Sequence, residues 1–199
     1  RYVLYDKNYC SNVIYDEDRC QQLVDAGKVK DLATCKTYFP LKTIDECAEK
    51  YCLQDGKDYY CSMHGIGEVN QDIRELCVYN KSGVDKFWQL VSGVNKKCTA
   101  KNVEDCWSGV AQGLKLDVNQ ISQCQKEEGA DLLKKEVAES NKYKVRGSPT
   151  VYFNDVLYQG GREPEDYKEA ICASFEKEPK ECKTVLSSKA KGAAAGACN

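Results

Sequence analysis

The sequence is short of several things, and each shortage excludes a class of protein. It has one His and one Met among 199 residues, and 4 Pro. A single His leaves little material for a histidine-rich metal site or a Cys-His catalytic pair. His64 follows Cys61-Ser62-Met63, but a second cysteine is missing from that run, so it is no haem-attachment motif and reads as a surface or loop residue. No apolar run approaches the roughly 20 residues that a membrane-spanning helix needs. There is no basic block, and 29 basic against 31 acidic residues give a formal charge of −2. That balance excludes nucleic acid or an anionic membrane as the main partner. No Cys-x-x-Cys occurs anywhere, and neither a cofactor nor a metal is expected.

What is abundant is cysteine, with 13 spread through every segment. Such a spread reads as a disulfide framework formed in an oxidising compartment, the extracellular space or the secretory lumen. The chain begins at Arg1, which suits a processed secretory protein or a fragment of one. Asn80-Lys81-Ser82 is an N-glycosylation sequon. Thirteen is odd, so one cysteine must be free, joined to another chain or attached to a ligand.

Tyr2 to Tyr5 form a β-branched and aromatic opening run that predicts a strand, followed by a helix through Gln21 to Ala26 that Gly27 stops. The segment from Val29 to Phe39, closed by Pro40, reads as extended, so the first forty residues predict β-α-β. Thr43 and Glu46 then form a capping box, and Ile44, Cys47, Ala48 and Cys52 fall on one helical face. Further helices are predicted over 68–79, 83–95, 102–114 and 118–141, the last with a break near Gly129. Two short strands, 150–153 and 156–158, are joined by Asn154-Asp155, and a last helix runs from Pro164 to Phe175.

This order, β-α-β, then helices, then β-β-α, is that of an α/β thioredoxin-like fold carrying a disulfide-rich helical insertion at about 43–142. One domain is expected over 1–182, with a flexible Ala/Gly-rich tail at 183–199. The run Val145 to Asn154, the turn Tyr158-Gln159-Gly160-Gly161 and the segment Tyr167 to Phe175 resemble the closing half of DsbA-like thioredoxin-fold proteins. The cysteine pattern is similar to the luminal thioredoxin-like region of plant vacuolar sorting receptors. The residues concerned are Cys10 and Cys20, Leu76-Cys77-Val78-Tyr79, the series Cys98, Cys106 and Cys124, and Cys172 with Cys182. The resemblance implies a cis-proline loop at Gly147-Ser148-Pro149-Thr150, with Ser148, Pro149 and Thr150 bordering a groove for extended polypeptide.

A thioredoxin-type oxidoreductase also needs a thiolate at a helix start and a resolving cysteine three residues on. The corresponding run here is Cys10-Ser11-Asn12-Val13. Cys10 therefore has two readings. It is a monothiol nucleophile opposite Pro149, or, by preference, half of a Cys10–Cys20 bridge contributing roughly 2–3 kcal/mol. Proximity also suggests Cys98–Cys106 and Cys172–Cys182, while the partners of Cys35, Cys47, Cys52, Cys61, Cys77 and Cys124 stay open. Cys198, in the tail, either pins it locally or joins a second chain. Trp88 and Trp107 read as core of the helical region, and Tyr9, Tyr59 and Tyr60 as loop residues suited to binding. The expected function is a structural or protein-binding subunit without dithiol chemistry, possible within an extracellular self-assembly. The rivals are an oxidoreductase using Cys10 and a cargo- or peptide-recognition module.

Overall fold

The computed structural model describes residues 8–145 and 147–186. The chain divides into two compact units, Arg1–Val145 and Arg146–Asn199, and each is taken by itself.

The first unit opens with four short helices, α1 (Asn8–Val13), α2 (Glu17–Asp25), α3 (Leu32–Tyr38) and α4 (Ile44–Tyr51). Three begin on a side-chain cap. The Arg19 amide donates to Asp16 Oδ1 at 2.7 Å, the Thr34 amide donates to Asp31 Oδ1 at 2.7 Å, and Thr43 and Glu46 form the expected capping box. The cap at Asp31 explains why 29–39 does not form the predicted strand. Once Asp31 satisfies the first free amide, a seven-residue helix can turn Cys35 inward, and Cys35 is fully buried. The other predicted opening strand, 2–5, lies outside the described residues. The described part of the first forty residues is thus helical, with one parallel bridge between Ile14 and Leu41.

A hairpin that sequence patterning missed follows α4. Strand β1 (Cys52–Asp55) pairs antiparallel with β2 (Asp58–Cys61), in the register Cys52 opposite Cys61 and Leu53 opposite Tyr60. Gly56, at φ +58°, allows the tight turn. Cys52 thus begins a strand instead of ending a helix. Tyr60, expected in a loop, is buried in the sheet.

The four helices predicted next all form. They are α5 (Ile66–Ser82), α6 (Val84–Lys97), α7 (Val103–Gly113) and α8 (Val118–Lys142). Gly83, at φ +83°, lets α5 stop and α6 begin within one residue. Their shared core is aliphatic, with Val69, Ile73, Val78, Leu90 and Leu133 fully buried. The break expected at Gly129 does not occur. A Cβ there would lie 3.1 Å from Ile73 Cγ2, so the glycine lets α8 pass close against α5 without interrupting the helix. Arg74 is buried but well partnered. It forms a bidentate pair with Glu104 (2.6 and 3.2 Å), donates to Gln125 Oε1 at 2.9 Å and stacks over Trp107 at 4.7 Å.

In the second unit, β3 (Tyr152–Phe153) and β4 (Val156–Leu157) form a minimal hairpin. Its turn residues Asn154 and Asp155 sit at φ 47° and 63°, the positive pair that a type I′ turn requires. Helix α9 (Pro164–Ala173) and a 3₁₀ turn (Lys180–Lys183) follow, joined by Cys172–Cys182. The Lys168 ammonium donates to the Thr184 carbonyl at 2.9 Å, tying the start of the tail to α9. Among the described residues each hairpin is its own two-stranded sheet. The predicted β-α-β … β-β-α order is therefore met in its closing strands and helix, while the rest of the described chain is mainly helical.

Candidate functional site

The sequence pointed first to Cys10. It lies on α1, fully buried, and is bonded to Cys47 of α4 rather than to Cys20. Cys20 pairs instead with Cys35, fastening α2 to α3. The correction has a simple cause. The segment 29–39, expected to be extended, contains the helix α3, which lies against α2, and α1 packs on α4. Cys10 Sγ is also 3.7 Å from Cys52 Sγ, which belongs to the Cys52–Cys61 bridge closing the hairpin. Val13 packs against this same sulfur-rich cluster. A thiolate nucleophile needs an ionisable, accessible sulfur, and Cys10 offers neither here.

The remaining bridges are Cys77–Cys124 between α5 and α8, Cys98–Cys106 between the end of α6 and α7, and Cys172–Cys182. All twelve described cysteines are thus paired with one another, and the odd one by parity is Cys198, which lies outside the described residues. Ser148, Pro149 and Thr150 belong to the second unit, whereas Cys10 belongs to the first. The Ser148–Pro149 peptide is cis, both residues are exposed, and the Thr150 hydroxyl donates to the Gly147 carbonyl. His64 sits just before α5 with its Nδ1 2.9 Å from the Glu68 carboxylate. Tyr9 makes an edge-to-face contact with Tyr51, with ring centroids 5.8 Å apart.

A cavity of about 420 Å³ opens between α5, α6 and α8. Helix α5 supplies Asp72, Glu75, Leu76, Tyr79 and Asn80, α6 supplies Phe87 and Trp88, and α8 supplies Leu132, Lys135 and Glu136. Tyr79, Phe87 and Trp88 form a chain of edge-to-face rings with centroids 5.7 and 4.9 Å apart. Trp88 is 61% exposed, contrary to its expected place in the core. Leu90 and Val94 are the α6 residues that face inward, and Trp88, two positions before Leu90, falls on the opposite side of the helix. Trp107 does occupy the core.

Two acids stand in the wall of this groove. Burial pushes the Asp72 carboxyl up to about 8, with the like charges of Glu75, Glu68 and Glu136 adding to the effect. Burial likewise raises Glu75, against the hydrogen bond it accepts from Gln71 Nε2 at 3.0 Å. At neutral pH the groove therefore combines aromatic edges, aliphatic floor and a carboxyl that keeps its proton. Sequence reading overlooked it, though a signal was present. Asp72, Glu75, Leu76 and Tyr79 recur at helical spacing, so two acids lie on a stripe with apolar neighbours. Asn80, the sequon residue, is exposed on α5 at the rim of the same groove.

No curated protein and no solved structure gives a significant match. The sequence model of one family, described as the vacuolar sorting receptor thioredoxin-like domain, does match, over residues 32–172. That span runs from α3 to the end of α9, well over half of the chain and including the groove, so this chain belongs to the vacuolar sorting receptor thioredoxin-like domain family.

Proposed function

We propose that this chain is a disulfide-stabilised protein-binding module of the secretory lumen or extracellular space, and that it holds polypeptide in the groove between α5, α6 and α8. The observation that carries the reading is the aromatic run of exposed Tyr79, half-buried Phe87 and exposed Trp88 beside an opening of about 420 Å³. Aromatic side chains that combine rigid apolar area with little conformational entropy are the usual anchors of protein recognition. The family's name adds the receptor setting, and six disulfides suit an oxidising compartment. Among the described residues no helix is long and apolar enough to cross a membrane. The Ser148-Pro149-Thr150 loop of the second unit, with Ser148 and Pro149 exposed, is a further surface for extended polypeptide, and Asn80 is a glycan acceptor. The 147–173 segment keeps a loop, hairpin and helix in the order a DsbA-like closing half would have.

The test is panning of a random dodecamer display library on the folded chain. Enriched clones should bind Trp88→Ala about thirtyfold more weakly, the loss typical of an aromatic anchor. Clones that bind both proteins equally would remove the groove from the proposal. The oxidoreductase alternative has a separate measurement. Iodoacetamide should leave Cys10 unmodified in native protein, and labelling of Cys10 would reopen it.

A second element concerns assembly. With twelve cysteines closed in pairs, Cys198 is the residue suited to linking two copies. Cys198→Ser should convert any disulfide-linked dimer on a non-reducing gel to monomer.

A further inference from the structure

Two disulfides of the first unit touch each other. Cys10–Cys47 ties α1 to α4, and Cys52–Cys61 closes the β1–β2 hairpin. Cys10 Sγ lies 3.7 Å from Cys52 Sγ, and the sulfurs of Cys10, Cys52 and Cys61 are all within 4.8 Å of one another. Helix α4 runs directly into β1, with Cys52 both the C-cap of the helix and the first residue of the strand. Cys47 and Cys52, on one short stretch of chain, therefore bring their sulfurs to the same partner, Cys10. All four side chains are buried, Cys52 the least so at 7% exposed, and Tyr9, Val13, Ile14, Leu41, Tyr51 and Tyr59 pack around them. A thiolate breaks a disulfide by attacking one of its sulfurs, so two bridges in contact are placed to exchange partners once one of them is opened. Chain entropy does not oppose the exchange. Cys10 and Cys47 are 37 residues apart and Cys10 and Cys52 are 42 apart, too small a difference to favour either loop.

We propose that these four cysteines form an internal relay, through which a dithiol acting on the hairpin bridge releases helix α4 from α1. The dithiol reduces Cys52–Cys61. It supplies two electrons and two protons and closes into its own disulfide, while Cys52 and Cys61 become thiols. Cys52 then loses its proton and attacks Cys10 Sγ. The Cys10–Cys52 bond forms, the Cys10–Cys47 bond breaks, and Cys47 leaves as a thiolate that takes up a proton. The product keeps one bridge in the cluster and carries thiols at Cys47 and Cys61. Cys10 is bonded in both states, the target of the attack and never the nucleophile. The hairpin bridge is the point of entry because Cys52 is the most exposed of the four. Helices α5 to α8 keep Cys77–Cys124 and Cys98–Cys106 throughout, so the relay acts on residues 8–62 and is independent of the polypeptide reading of the groove.

The experiment is timed reduction of the native full chain with dithiothreitol, quenching with N-ethylmaleimide at mildly acidic pH, and peptide mass mapping. Label should appear first on Cys52 and Cys61. Roughly half of the Cys52 label should then pass to Cys47, the share expected of two loops nearly equal in entropy, with a Cys10–Cys52 peptide appearing in step. Label that stays on Cys52 and Cys61 with Cys10–Cys47 intact would overturn the proposal. A cluster that remains closed after Cys172–Cys182 has opened would overturn it as well. Cys61→Ala gives an independent arm, since it leaves Cys52 as a thiol beside Cys10 without any reductant. Both Cys10–Cys47 and Cys10–Cys52 peptides should be recovered from this variant, with an intact Cys77–Cys124 bridge and native helical content verifying its fold. Recovery of Cys10–Cys47 alone, with all label on Cys52, would count against the relay.

Discussion

The first unit contains two regions that solve the same problem differently. Residues 8–62 make four helices of six to nine residues and one hairpin, and the buried cluster there consists of Cys10, Cys47, Ala48, Cys52 and Cys61. Residues 66–142 make helices of 11 to 25 residues over an aliphatic core. Short helices bury too little apolar surface to offset the entropy of ordering them, and in the first region sulfur bridges substitute for that surface. The longer helices hold by burial, with Cys77–Cys124 added to a core that already exists. The lesson is that cysteine density marks where the core is thin, while the groove is placed on the part of the molecule that is rigid by packing.

The sharpest way to break this comparison is to open one bridge in each region. Cys10–Cys47 and Cys77–Cys124 span 37 and 47 residues, so loop entropy alone assigns each about 4 kcal/mol. Their structural consequences should differ. Replacing Cys10 and Cys47 by Ala should expose 8–62 to rapid amide exchange and early proteolysis while 66–142 stays protected. Replacing Cys77 and Cys124 should lower the melting temperature with helical content retained. Equal early cleavage within α5 to α8 in the first variant would contradict the division.

A smaller but global effect is expected from Leu133→Ala, which empties a fully buried position of the helical core. The loss should be about 3 kcal/mol in chemical denaturation. A loss below about 1 kcal/mol would show that burial is not what holds this region.

The smallest expected change has the opposite sign. Asp72 has its carboxyl raised from 3.8 to about 8, so the native state keeps a proton that the unfolded chain releases above its ordinary range. The group therefore favours folding fully below about pH 4, and this advantage is lost as pH rises toward 8. Asp72→Asn should stabilise the protein by about 1–2 kcal/mol at pH 8 and flatten the stability profile between pH 4 and 8. Unchanged pH dependence in the variant would mean that Asp72 is not held in the apolar wall.

Legibility followed the physics of each signal. The helices from 66 to 142 were readable because apolar spacing over long segments reports directly which face is buried, and the Thr43-Glu46 box because capping is local. The Cys52–Cys61 hairpin was hidden, since its four-residue strands are set by their pairing and disulfide rather than by alternation. The segment 29–39 carries β-branched residues, yet Asp31 caps a helix there. Cys98–Cys106 and Cys172–Cys182 lie close in sequence and pair as proximity suggests, whereas Cys10 and Cys47 meet only through the packing of α1 on α4. Of the groove, Trp88 was misplaced because helical spacing alone does not say which of two apolar stripes on α6 meets the core.

The sequence by itself determined a disulfide-rich character, a helical middle, a closing hairpin with its Asn154-Asp155 turn and the absence of a Cys-x-x-Cys motif, because all of these depend on composition or on neighbours within a few residues. The tertiary structure alone decided that Cys10 pairs with Cys47, that Trp88 faces outward, and that Asp72 and Glu75 line one groove with Phe87 and Trp88 of a different helix, because each depends on which helix faces come into contact, a matter of packing between segments that no local pattern specifies.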